Sequence, residues 1–419
     1  MGSSSKGWRA VAAALAIGAS AAHAGFTQVE RSVRVDKTGT SCPGARFSRI
    51  QDALDASGRG AKIIVCPGVY EEQLLVTRAV RLHGMRGAIV RPGGMVANST
   101  SLRTGRPIAA VAAVTARAAI DGLEFDASAN GLTGCDPDGP LLVGVFVRGA
   151  AATLTGARVR GIRLGGDDAS CDTGVGILVQ GGGPRTLVTL ADNLVFEYQR
   201  SGIVANEAGL RVVVRGNTVT GGGPTPEIAQ NGVQVGFGAT GKVIGNIVQN
   251  NAAPSDGCTF DGGNLAYESN GGTIQGNVFT GNTAGVIVKG DKNRVVRNTV
   301  DGLSGGSPVG LDGVSVIGDA NLVTQNTIRN VSEAGIRLAG ARNRAVRNSV
   351  TATRAASLCV ATRAASPPCA DLLTRCGVGI WIADGNANGL AANSFAANDQ
   401  NVQDDAAGTT VNPGRPDHR

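Results

Sequence analysis

The chain has 419 residues, a net charge of +7 and an aromatic content of only 3%. It holds no dense Lys/Arg run interleaved with aromatics, which argues against nucleic acid. A modest positive balance suits solubility or an anionic partner such as an acidic polysaccharide.

The first two dozen residues read as a secretory signal peptide, residues 1–24. Lys6 and Arg9 form a basic start, residues 11–22 an apolar stretch, and Ala22-His23-Ala24 a small-residue cleavage site. The apolar stretch is too short to span a membrane, and no later segment is long and apolar enough. The mature chain should begin near Gly25 as a soluble, secreted or periplasmic monomer, its charge lowered to +5 by loss of Lys6 and Arg9. Eight cysteines in an oxidising compartment imply disulfides, and their spacings do not resemble a zinc site. Cys42 with Cys66 and Cys135 with Cys171 are the preferred pairs; Cys258, Cys359, Cys369 and Cys376 stay unassigned.

A cap comes next. Ser48-Arg49-Ile50-Gln51 reads as a capping box, and Phe47, Ile50 and Leu54 share a face, so a short amphipathic helix is expected near 47–57. Alternating strands follow at residues 63–66, 74–76 and 80–82.

From Gly144 onward the dominant signal is repetition. One mark is glycine, apolar, any, apolar, as in Gly144-Val-Phe-Val, Gly202-Ile-Val-Ala, Gly285-Val-Ile-Val, Gly335-Ile-Arg-Leu and Gly379-Ile-Trp-Ile. The other is asparagine, any, apolar, led by Asn193, Asn217, Asn246, Asn277, Asn298, Asn326, Asn348 and Asn393. Short strands of period two, punctuated by Gly and Asn, cannot bury their apolar faces singly but form a continuous core when stacked. The fold expected is all-β, a right-handed parallel β-helix with a short N-terminal capping helix, over residues 25–400. The recurrent asparagines are expected to stack, each amide bonding to its neighbours in adjacent coils. Residues 401–419 read as a polar, disordered tail.

The run Phe47-Ser-Arg-Ile-Gln-Asp-Ala-Leu-Asp-Ala, then Ile63-Ile-Val-Cys-Pro-Gly-Val-Tyr-Glu-Glu, then Val80-Arg-Leu-His-Gly, resembles the opening coils of the pectin-lyase-like superfamily. The later repeats look like the general parallel β-helix repeat of that superfamily, so the resemblance covers most of the mature chain. It implies a fold and leaves activity open, because one β-helix hosts many chemistries. The pectin methylesterase stretches are missing in order. Gly166-Asp167-Asp168 imitates the polygalacturonase pattern, but Ala169 follows, and the Gly-His-Gly is absent. The mature chain holds only His83 and His418, so a Ser-His-Asp triad within the repeats is excluded and proton transfer must use Asp/Glu, Lys, Arg or Tyr.

Repeat lengths locate a working edge. From Gly202 onward each Gly mark precedes its Asn mark by 13 to 15 residues, whereas the return from Asn to Gly takes 8 to 31. Insertions confined to one edge of a solenoid commonly mark its binding face. In the Gly-led strand the second and fourth residues after glycine point outward, giving a strip of Phe146, Arg148, Gln180, Asn206, Gln234, Tyr267, Lys289, Arg337 and Trp381. Aromatic faces stack on sugar rings, and Lys and Arg neutralise carboxylates. Asp172, Asp256, Asp261, Asp312 and Glu333 line the approach. Such carboxylates suit acid–base work, or calcium, although no calcium-loop spacing is present and the cofactor stays open.

The leading expectation is an enzyme acting on an acidic polysaccharide by lyase- or epimerase-like proton abstraction. Lys289 is the candidate base, with Tyr267 one coil away and Arg337 holding a neighbouring carboxylate. Trp381, Gln234, Asp261, Asp312 and Glu333 are the candidate substrate contacts. The alternative is a non-catalytic glycan-binding or surface protein. A maturation accessory of copper enzymes ranks third, because the strip has no histidine and the cysteines are expected to pair.

Overall fold

The computed structural model describes residues 32–165, 170–181, 183, 186–225, 228–253, 262–308, 310–355, 376–406 and 410–411. The signal peptide, Asp256, Asp261, Cys258, Cys359 and Cys369 lie outside them. Three long parallel sheets wrap one solenoid, with 14 strands in sheet A, 12 in sheet B and 13 in sheet C. Each coil contributes one short strand to each sheet, as in Ser201–Asn206 of sheet C, Leu210–Arg215 of sheet A and Thr218–Thr220 of sheet B. This is the expected right-handed β-helix.

Alternation dictates the core. Inward residues of all three sheets merge into one apolar column running from Val35 to Leu390. The recurrent glycine faces inward at a point where the sheet C strand lies close to sheet B. A Cβ on Gly232 would collide with Val248, and one on Gly335 with Val350. The repeat needs glycine there for space.

The eight repeat asparagines form an unbroken ladder between sheets A and B, buried from Asn193 to Asn348 and half-buried at Asn393. The side-chain amide of Asn246 donates to the side-chain oxygen of Asn277 at 2.9 Å, and that of Asn277 to Asn298 at 2.9 Å. Each main-chain N–H donates to the same oxygen, as Asn277 does to Asn298 at 2.9 Å. The residue ahead of several of these asparagines is left-handed, with φ of 54° at Arg297 and 57° at Gln325, which turns the chain sharply at the corner. A second ladder, Asn293, Asn321, Asn343 and Asn388, lines the corner between sheets C and A.

The helix α1, Ile50–Ala56, buries Ile50, Ala53 and Leu54 against the first coil. The capping box does not form. Arg49 is the N-cap and makes no side-chain cap; the buried carboxylate of Glu72 instead accepts from the amides of Ile50 at 2.7 Å and Gln51 at 2.9 Å. A carboxylate brought by tertiary packing thus replaces the local cap.

One further correction concerns the end of the chain. Gln400–Asp404 is not tail but a sheet C strand paired with Val378–Ile382, so the solenoid runs past residue 400. The length-variable loops all run from sheet B to sheet C, and two of them are joined by the Cys135–Cys171 disulfide. The second expected pair, Cys42–Cys66, closes the cap region, and Cys376 is also disulfide-bonded.

Candidate functional site

Sheet C presents its outward side chains in columns set by strand register. One column reads Phe146, Leu178, Val204, Gln234, Leu265, Ile287, Ser315, Arg337 and Trp381. Another carries Arg148, Gln180, Asn206, Gly236, Tyr267 and Lys289. Tyr267 and Lys289 are therefore direct neighbours. Arg337 stands two coils from Lys289 and in the other column, because Lys289 is in register with Ile317 while Ser315 is in register with Arg337.

The first part of this face is roofed. Between Ala88–Val90 of sheet B and Pro107–Val114 of sheet C, residues 91–106 form a strap that crosses the outer face. Its Ser99–Thr100 pairs antiparallel with the start of Pro107–Val114. Gln180 anchors it twice, accepting from the Leu102 amide at 2.8 Å and donating to the Ser101 hydroxyl at 3.1 Å. Arg148 adds a bond to the Thr100 carbonyl at 2.9 Å. Beneath lies an apolar cluster that includes Phe146, Leu178 and Val204. Phe146 and Gln180, expected to face solvent, are buried by this strap.

Past the strap, three cations each lie over an aromatic ring. Arg103, at the strap's far end, sits 3.5 Å from the ring centre of Phe237. Phe237 in turn packs on Tyr267 with centroids 5.3 Å apart. Lys289 lies 4.7 Å from the Tyr267 ring centre, its ammonium 3.4 Å from the phenol oxygen. Arg337 lies 4.9 Å from the ring of Trp381. Gln234, half-buried, donates to Asn206 at 3.2 Å.

Three expected substrate contacts are corrected. Trp381 points outward by register but is only 1% exposed; its indole N–H donates to the Asp405 carboxylate at 2.9 Å, so the ring supports Arg337 and offers no open platform. Asp312 and Glu333 are also buried. Burial pushes the Asp312 carboxyl above its ordinary value, against the opposing charge of Arg337 and a hydrogen bond from Ser315. Arg337 is half-buried, and its Nε has no hydrogen-bond partner. Asp172, by contrast, is exposed and bonded to Arg200 at 2.6 Å. Sequence reasoning missed Arg103 and Phe237. Arg103 precedes the first Gly mark, and Phe237 falls one residue beyond the outward positions of its quartet.

A family model described as "Periplasmic copper-binding protein (NosD)" matches residues 168–412, more than half of the chain. The chain belongs to this NosD family. Its description is periplasmic, and no helix among the described residues is long and apolar enough to cross a membrane. The reading ranked last from the residues is thus the one closest to the family. Among solved structures, the Azotobacter vinelandii mannuronan C-5 epimerase AlgE4 A-module is similar at 15% identity and a TM-score of 0.51, covering 90% of this chain and 99% of that one. The GH136 lacto-N-biosidase from Eubacterium ramulus is similar at 10% identity and a TM-score of 0.50, covering 91% and 67%. Both likenesses are of fold. No curated protein matches the chain.

Copper sites are built from thiolate, thioether and imidazole donors. Among the described residues of this NosD-family chain, every cysteine is disulfide-bonded and Met95 is buried in the apolar core. The His83 imidazole is bonded to Asp121 at 2.5 Å, and among the described residues no three His, Cys, Asp or Glu side chains converge. Met85 touches the Cys42 sulfur at 3.7 Å, but that sulfur is in a disulfide. The described donors do not fit a copper centre.

Proposed function

We propose that this protein binds an acidic polysaccharide along the outer face of sheet C and acts on it by abstracting the proton beside a uronate carboxylate. The observation that carries the reading is the row of cation-over-ring pairs, Arg103–Phe237, Lys289–Tyr267 and Arg337–Trp381. Phe237 and Tyr267 belong to adjacent coils and pack on each other, while Arg337 stands two coils beyond Lys289, about 10 Å at the usual strand spacing. A ring beneath each cation fixes its position at little entropic cost and leaves its outer side to meet an anion.

In this reading Lys289 and Tyr267, in contact with each other, handle the proton, while Arg337, two coils away, holds the carboxylate of a neighbouring sugar. Lys289→Ala should abolish release of unsaturated product, followed in the ultraviolet, or epimerised product, followed by proton NMR, on a panel of anionic polysaccharides. Its circular dichroism should be unchanged. Full turnover in the variant would remove Lys289 from the mechanism. Tight binding by the wild type with no product of either kind would favour the non-catalytic glycan-binding alternative.

Family membership carries a second reading, copper as cargo in a periplasmic role. Equilibrium dialysis against Cu(I) and Cu(II) tests it, and stoichiometric retention by the disulfide-intact protein would support it.

A further inference from the structure

Charge is spread unevenly round the solenoid. Sheet B balances its own, with Glu124 and Asp126 meeting Arg158 and Arg160, and Asp301 meeting Arg329. From Leu210 onward the strands of sheet A carry Arg211, Arg215, Lys242, Arg294 and Arg344 and no carboxylate. Lys242, Arg294 and Arg344 stand in one outward column with Thr273 and Leu322 between them, so successive cations are about 10 Å apart. Arg297 and Arg347 carry the patch to the corner with sheet B, each at a left-handed position with φ of 54° and 57°. These five side chains are exposed, and none forms an ion pair among the described residues. Between Arg294 and Arg347 every carboxylate is engaged or buried. Asp301 and Asp319 hold Arg329 and Arg342, while Asp312 and Glu333 are buried at sheet C.

The same corner exposes aliphatic surface. Ile247 and Val278 follow the ladder residues Asn246 and Asn277, lie in register, and are 45% and 40% exposed. Thr218 and Thr299 fill the equivalent places in the flanking coils. Unpaired cations beside exposed aliphatics suit a surface that is anionic outside and apolar beneath. A glycan would call for rings to stack on its sugars, and the strands of sheet A contain no aromatic residue.

We propose that this basic patch and its corner dock the protein on an anionic phospholipid surface. Lys242, Arg294, Arg297, Arg344 and Arg347 meet the phosphates, and Ile247 and Val278 enter the boundary between headgroups and acyl chains. Like charges held close together repel one another, and a layer of phosphates relieves that repulsion. Docking of this kind is peripheral and reversed by salt. It uses a different face from the cation–ring row of sheet C and stands or falls independently of the function proposed for that row.

The test is co-sedimentation with vesicles of phosphatidylcholine, alone or mixed with phosphatidylglycerol. The repeat itself supplies tolerated replacements, because Thr273 occupies the column of Arg294 and Arg344, and Gln325 has the left-handed φ of 57° of Arg297 and Arg347. The wild type should pellet with the mixed vesicles, be released by added salt, and ignore pure phosphatidylcholine. The combined variant Arg294→Thr, Arg297→Gln, Arg344→Thr, Arg347→Gln should lose roughly a hundredfold in affinity, with an unchanged circular dichroism spectrum. Ile247→Thr with Val278→Thr should weaken binding several-fold while its salt dependence stays the same. No pelleting of the wild type, equal pelleting with both vesicles, or undiminished binding by the combined arginine variant would each overturn the proposal. So would loss of soluble oligouronate binding in that variant without any vesicle binding by the wild type, which would give the patch to a glycan.

Discussion

The guanidinium of Arg337 rests on the indole of Trp381, 4.9 Å from its ring centre, and the indole N–H is held by Asp405 at 2.9 Å. A cation on the outer face is thus positioned by a buried ring from the following coil, itself tied to the strand after that. Trp381→Ala should cost about 3 kcal/mol, typical for deletion of a buried tryptophan, read as a lower urea midpoint. It should also weaken binding of acidic oligosaccharide, because Arg337 loses its support. Stability lost with binding unchanged would separate Arg337 from the ligand.

Asn264 occupies a position that its neighbours fill with Val233 and Val286. It is 1% exposed, and neither its amide nitrogen nor its amide oxygen has a partner. Burying an unsatisfied amide costs about 1–3 kcal/mol. Asn264→Val should therefore raise the urea midpoint by an equivalent of about 2 kcal/mol; a lower midpoint would mean that the amide has an unseen structural partner.

Asn277 sits mid-ladder. Its side-chain oxygen accepts from both the main-chain and side-chain N–H of Asn246, and its own amide serves Val243 and Asn298. Asn277→Ala strands several buried groups at once, for an expected loss of about 3 kcal/mol. Hydrogen exchange should quicken in the flanking coils first, as a solenoid couples mainly nearest neighbours. Uniform acceleration along the whole chain would contradict that picture.

Acid stability should depend on Asp126. Burial would raise its carboxyl, but hydrogen bonds from Ser128 and Arg91, with the charge of Arg160, hold it below its ordinary value. A folded-state pKa below the unfolded one means that its contribution is present above the unfolded value and disappears as pH falls through the folded value. Denaturation midpoints should therefore fall below about pH 4, and Asp126→Asn should flatten that fall while lowering neutral stability by about 2 kcal/mol. An unaltered acid limb in the variant would assign the effect elsewhere.

The β-helix was readable because its signals are local and repeated. Glycine leaves room for the opposing strand, asparagine stacks on asparagine, and alternation sorts inward from outward residues. The roof over the face was not readable. Residues 91–106 lie before the first Gly mark, and their anchor on Gln180 joins groups 78 and 79 residues apart, a pairing that no local pattern announces. For the same reason alternation puts Trp381 on the outer side of its strand without revealing that the side chain is covered. Alternation tells which way a side chain points, not what later chain covers it. Likewise the helix cap came from Glu72 instead of Ser48, since tertiary packing delivered a better acceptor than the local sequence.

The asparagine ladder also gives the solenoid a direction of growth. In each coil two N–H groups of the ladder residue point toward the next coil, and only an oxygen from that coil satisfies both. A finished coil therefore presents an unmet template to the segment that follows, while α1 seals the opposite end of the stack. Assembly begun at the sealed end advances like a zipper whose teeth face one way, and Asn393 is the last tooth among the described residues.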